Sequence, residues 1–156
     1  MITPKRFTAL VLALFLGASL TLAASEQIFD DNADVHQLIT TAIAAASREH
    51  KNIVLDFGAN WCPDCHALHR QMHQGELASI IQKYFVVVPV SVGRYDRNLD
   101  IARQYDVPLR HGIPALAILD SHGKLLYSMK DGQFSNARSM DSASFIEFFR
   151  KWEPKR

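Results

Sequence analysis

The chain has 156 residues, 48% of them hydrophobic, with 17 basic against 16 acidic side chains. That is enough for one ordinary domain with its own core, and the near-balanced charge argues against nucleic acid or an anionic membrane as a partner. There is no internal repeat or low-complexity stretch, and two cysteines permit a single disulfide.

Lys5 and Arg6 precede an almost unbroken apolar stretch from Phe7 to Leu16, and Thr21-Leu22-Ala23-Ala24 supplies small residues. This is the pattern of a secretory signal peptide cut after Ala23 or Ala24, so residues 1–24 are expected to be removed and residues 25–156 to form the domain. The competing reading is an uncleaved anchor. Gly17, Ser19 and Thr21 interrupt the apolar run and no stop-transfer charges follow, which disfavours a span. No cysteine lies near the cut, so no lipid anchor is expected there. Without Lys5 and Arg6 the chain carries 15 basic residues against 16 acidic, a net charge of about −1. Export would place it in a disulfide-permissive compartment, the periplasm in a Gram-negative cell.

Past an extended lead from Ser25 to Asp31, Asn32 or Asp34 can cap a helix with Val35, Leu38, Ile39, Ala42, Ile43 and Ala46 on one face. Ile53 to Gly58 reads as a short buried strand. Pro63 at the first helical position and Asp64 in the first turn start a second helix, with Cys62 as its cap. That helix runs through Leu68 and Met72 and breaks at Gly75, leaving a further piece from Glu76 to Lys83.

Tyr84 to Val92 is valine-rich and reads as a central strand, although Pro89 cannot donate to a ladder and requires a bulge or an unpaired side. A short helix from Asn98 to Tyr105 and an irregular segment from Asp106 to Gly112 come next. Ala115 to Leu119 and Lys124 to Lys130 are expected strands, joined by Asp120-Ser121-His122-Gly123 as a hairpin turn. A helix from Ser142 to Glu153 closes the chain, with Phe145, Phe148, Phe149 and Trp152 as its core stripe. The order describes an α/β domain with a mixed central sheet covered by helices on both faces.

Both cysteines lie in Trp61-Cys62-Pro63-Asp64-Cys65, at the strand-to-helix junction where such sheets place their chemistry. Two thiols separated by two residues close to a disulfide and open to a dithiol with little backbone movement. A bridge over so short a loop removes little unfolded-state entropy. The spacing therefore suits a redox couple better than a structural staple.

With Trp61 directly before the first cysteine, Asp56 six residues ahead of it, and Gly112-Ile113-Pro114 before a later strand, the chain resembles the thioredoxin superfamily. The resemblance covers about Ile53 to Met129 well and the terminal helices only by type. It implies a thioredoxin-like fold and a cis-proline at Pro114. It also implies that Ile113 and Pro114 present a rest for an extended client peptide, with Trp61 as an apolar edge beside Cys62. Three features depart from the family pattern. The lysine that commonly pairs with the buried acid is replaced at the nearest position by Pro89. The dipeptide between the cysteines is Pro63-Asp64 rather than Gly-Pro, and the segment Asp106 to His111 is longer than usual.

Cys62, at a helix cap, faces free backbone N–H groups that favour thiolate and is the expected nucleophile. Cys65, one turn on, is the expected resolving thiol. Asp56, flanked by Leu55 and Phe57, should be pushed toward its neutral form and is the candidate acid/base for Cys65. The plainer alternative is a structural acid. Pro63 and Asp64 are the expected tuning residues. A negative charge close to Cys62 opposes its thiolate, which points to a potential nearer thioredoxin's about −270 mV than a strong oxidant's about −120 mV.

A rival reading comes from Cys62, Cys65, His69 and His73, with His66 nearby, as a soft-metal carrier. The commoner reading of such histidines is a solvated helix face, so no metal is assigned. Arg94, Arg97 and Arg110 surround the irregular segments; the functional reading sets them at the border of the active-site face, and the plainer one, which is preferred, is a solvated loop. The expectation is an exported thiol–disulfide oxidoreductase that acts on protein clients, favours reduction and needs a membrane-borne thiol electron donor. Oxidase or isomerase activity is the alternative, and no flavin, haem or nicotinamide cofactor is expected.

Overall fold

The computed structural model describes residues 27–155. The leader at residues 1–24 lies outside them. Among the described residues no helix is long and apolar enough to cross a membrane.

Helix α1 spans Val35–Glu49, and its cap is Asp34, whose side chain accepts from the Gln37 N–H, rather than Asn32. Strand β1, Asn52–Gly58, is buried along its whole length. Helix α2, Pro63–Met72, starts with proline at its first position, where the missing N–H costs nothing. The break that follows falls at His73 and Gln74, one step earlier than expected, because Gly75 (φ +56°) begins helix α3, Gly75–Tyr84. Tyr84 accordingly ends a helix instead of opening strand β2, Phe85–Ser91.

Helix α4, Leu99–Gln104, is followed by a 3₁₀ turn at Leu109–His111, inside the segment expected to be irregular. Strands β3, Ala115–Leu119, and β4, Leu125–Ser128, form the expected hairpin. Asp120 closes its turn by accepting from the N–H groups of His122 and Lys124. A second 3₁₀ turn at Ala137–Ser139 precedes helix α5, Ser142–Lys151, which Asp141 caps.

The sheet order is β2-β1-β3-β4, with β1 parallel to β2 and antiparallel to β3. The valine-rich strand expected at the centre is therefore an edge. That placement answers the difficulty of Pro89, because proline is tolerated where one side of a strand goes unpaired. Composition misled here: Val86 and Val87 are only partly buried, and the central strand is β1.

Side chains alternate across β1. Ile53, Leu55 and Phe57 pack with α1 residues Val35, Ile39, Ala42 and Ala46 and with Ile101 of α4. Val54, with Leu116 and Ile118 of β3, packs against α2, α3 and the phenylalanines of α5. The mixed sheet is thus covered on both faces, as expected.

Asn60 ties down the lead before α1 at Ile28 and Phe29. Asn60 accepts from the Ile28 and Phe29 N–H groups through Oδ1, at 3.0 Å each, and donates to the Phe29 carbonyl at 2.6 Å. Phe29 is fully buried over Gly58, where any Cβ would collide with its ring.

Candidate active site

The C-terminal end of β1 delivers the chain to Cys62, which caps α2. Cys62 and Cys65 form a disulfide with a Cα–Cα separation of 5.3 Å. The Cys65 N–H points at Cys62 Sγ, 3.1 Å away, so a backbone donor of the first helical turn is committed to this sulfur. A thiolate at Sγ would keep that donor and gain from the helix dipole. Cys62 is 3% exposed and Cys65 is fully buried. Of the pair, only the first sulfur is close enough to the surface for attack by or on another molecule.

Across from the disulfide, Cys62 Sγ lies 3.6 Å from the Ile113 carbonyl oxygen. The Ile113–Pro114 peptide is cis, and both residues are buried at the start of β3. The Trp61 ring is half exposed and donates through Nε1 to the Gly93 carbonyl at 2.7 Å. The structure therefore gathers Trp61, Cys62, Cys65, Ile113 and Pro114 in one place.

Tyr95, which the sequence did not single out, stands beside Trp61 with ring centroids 6.0 Å apart. Its backbone is left-handed (φ +65°) and it is 42% exposed. With Leu99, Leu109, Arg110 and Gly112, the residue before Ile113, it lines a groove of about 540 Å³. Arg110 thus lines this groove. Arg97 instead donates to the Asp31 carbonyl and serves the fold.

Asp56 sits mid-strand, 1% exposed. Its register partners are Pro89 on β2 and Leu116 on β3, neither of which supplies a cation. Its Oδ1 has no hydrogen-bond partner. Burial alone lifts its pKa from 3.8 to about 7, because nothing nearby repays the desolvation of the charged form. The group is poised to take or give a proton near neutrality.

Asp64 is the chief surprise. The sequence predicts a negative charge close to Cys62, and a first-turn carboxylate is ordinarily either bare or solvated. Asp64 is neither, for its carboxylate is 12% exposed and Oδ1 accepts from Arg138 twice. One donor is the backbone N–H at 2.9 Å and the other the guanidinium Nε at 3.2 Å. Arg138 belongs to the Ala137–Ser139 turn, a segment with no periodic signal in the sequence.

The histidines of α2 do not assemble a ligand set with the cysteines. His66 donates through Nε2 to the Asn60 carbonyl at 2.7 Å, and His73 donates through Nδ1 to the His69 carbonyl at 2.7 Å. The rings of His69 and His73 stack on each other, centroids 4.1 Å apart. Among the described residues no three His, Cys, Asp or Glu side chains converge as metal ligands.

Comparison with known proteins agrees with this geometry. A family model described as thioredoxin-like matches residues 34–121. The crystal structure of a disulphide isomerase from Xylella fastidiosa Temecula1 is 40% identical, covers 82% of this chain and 98% of its own, and superposes with a TM-score of 0.78. The C-terminal domain of Neisseria meningitidis DsbD in its oxidised form shares the fold at 20% identity, with 78% and 97% coverage and a TM-score of 0.53. A thioredoxin from Thermus thermophilus does so at 21% identity, with 72% and 81% coverage and a TM-score of 0.52. No curated protein sequence matches the chain. The chain belongs to the thioredoxin-like family and carries that family's redox-type disulfide at Cys62 and Cys65.

Proposed function

We propose that the protein is an exported thiol–disulfide oxidoreductase that reduces disulfides in protein clients. The observation that carries this reading is the placement of Cys62 Sγ. It takes the Cys65 N–H of the α2 cap and sits 3.6 Å from the Ile113 carbonyl, in a site edged by the half-exposed Trp61.

In the reduced protein the Cys62 thiolate attacks one sulfur of a client disulfide. The Cys62–client bond forms and the other client sulfur leaves as thiolate. Cys65, losing its proton to Asp56, then attacks Cys62 Sγ. The intramolecular disulfide forms, the client's second thiol is released, and two electrons have passed to the client. A client strand lying along Ile113 and Pro114 would bring its sulfur to Cys62 through backbone pairing, while Trp61 and Tyr95 cover the approach.

One electrostatic argument supports the reducing direction. The Asp64 carboxylate is buried while the Arg138 guanidinium is 59% exposed. Water therefore screens the cation more than the anion, and a residual negative field opposes the Cys62 thiolate. A couple with a less stabilised reduced form is the weaker oxidant. Working as a reductase in an oxidising compartment, the protein would need a membrane-borne thiol donor to restore Cys62 and Cys65. Export itself is supported by the leader pattern at residues 1–24.

A second reading has one observation behind it: the 40% identical Xylella protein is described as a disulphide isomerase. Isomerisation starts with the same attack by Cys62 but ends with the client, rather than Cys65, displacing it. Turnover of insulin with excess dithiol, beside reactivation of scrambled ribonuclease, separates the two. Rapid insulin reduction with little reactivation supports reduction, and the reverse supports isomerisation. No turnover in either assay defeats both readings. Sequencing the N-terminus of protein from the periplasmic fraction tests export, and a retained residue 1 would defeat it.

A further inference from the structure

Asp64 stands in the first turn of α2, two residues past the sulfur that must carry charge in the reduced protein. Its carboxylate is withdrawn from solvent and tied to Arg138 by a backbone and a side-chain bond. The segment that supplies Arg138 is seated against α2 close to that first turn. Of the turn's other titratable side chains, Cys65 belongs to the couple itself and His66 is directed to the Asn60 carbonyl. Asp64 and Arg138 are therefore the opposed fixed charges at the mouth of the helix.

We propose that Asp64 and Arg138 form a charge pair that sets the redox poise of the Cys62–Cys65 couple, with Arg138 as a positioning residue that holds Asp64 and offsets its field at Cys62. The proposal rests on the couple being redox-active, as above. The relevant equilibrium is balanced: the protein disulfide and two glutathione thiols give the protein dithiol and one glutathione disulfide. Two electrons and two protons move to Cys62 and Cys65. Any charge that raises the free energy of the Cys62 thiolate shifts this equilibrium toward the disulfide.

The pair predicts opposite effects from its two halves. Removing Arg138 leaves the buried carboxylate uncompensated and makes the dithiol harder to form. Removing Asp64 leaves the guanidinium without its anion and makes the dithiol easier to form. A merely structural tie would shift both variants the same way or leave the couple unmoved.

The test measures the glutathione equilibrium constant, with the pH dependence of Cys62 alkylation in the reduced protein, for the wild type, Asp64→Asn, Arg138→Gln and Arg138→Lys. Arg138→Gln should favour the disulfide by about threefold or more and move the Cys62 alkylation midpoint to higher pH. Asp64→Asn should do the opposite, and Arg138→Lys should lie near the wild type. The two displacements should shrink as salt is raised. Should Arg138→Gln fail to fold, Asp64→Asn and Arg138→Lys still carry the test, because the first must move the midpoint down and the second must not. Shifts of equal sign, or none, overturn the pair's role. A wild-type protein that does not exchange with glutathione removes the couple itself, and the proposed function with it.

Discussion

The two carboxylates on either side of Cys62 in the sequence are both buried, and the molecule treats them in opposite ways. Asp56 lies between two neighbouring strands that offer it proline and leucine, has an unpartnered oxygen, and holds its proton to about pH 7. Asp64 lies against a turn that offers it an amide and a guanidinium. Burial alone does not decide what an acid does; the partner decides. Without one the group becomes a proton store, and with one it becomes a fixed charge.

The largest expected effect separates the two by the sign of a stability change. Asp56 has a folded-state pKa above its ordinary 3.8. Its cost is absent at low pH, where folded and unfolded chains both bind the proton, and grows as pH rises toward 7. Asp56→Asn should therefore stabilise the oxidised protein at pH 8 by about 4 kcal/mol and leave pH 4 nearly unchanged. Denaturant unfolding at the two pH values measures this. Asp64→Asn should destabilise at pH 8 by about 1–2 kcal/mol, since the Arg138 amide loses a charged acceptor. If both substitutions destabilise at pH 8, the contrast is wrong.

Kinetics give the next contrast. Resolution of a Cys62 mixed disulfide should slow about 100-fold in Asp56→Asn, measured by quenched release of a trapped client peptide. In the wild type the rate should climb to a plateau as pH passes about 7, the range in which Asp56 loses its proton. Asp64→Asn should change resolution by less than about threefold, because it alters a charge near the sulfur and not the proton path. The smallest effect comes from converting one acid toward the other. Pro89→Lys would set an ammonium opposite Asp56, and the pH-dependent loss of stability should then level off at a lower pH and be smaller than in the wild type.

Much of this was legible along the chain. Cys62, Cys65, Pro63 and the cap are close in sequence, so residue types and spacing suffice. Asp56 was exposed as unusual by its apolar neighbours. What could not be read were partnerships across sequence distance. Arg138 meets Asp64 from a turn with neither periodicity nor a motif. Asn60 clasps the lead through three backbone groups, yet in the sequence it is one more polar residue before Trp61. The rank of β2 in the sheet was misread for the same reason. Whether a valine-rich strand is central or an edge depends on which other strands pair with it.

The stretch from Gly132 to Ser139 touches both halves of the site. Gly132 has φ +61°, and a Cβ there would overlap the His111 carbonyl; Ser135 crowds Gly112, and Arg138 holds Asp64. One short strap therefore yokes the loop that leads into Pro114 to the helix that Cys62 caps. Under the proposed function, a client pressing on the Ile113–Pro114 rest would load the same frame that carries the thiol, so docking and chemistry would be mechanically joined. Neither loop can be lengthened or regrafted by itself without unseating the other.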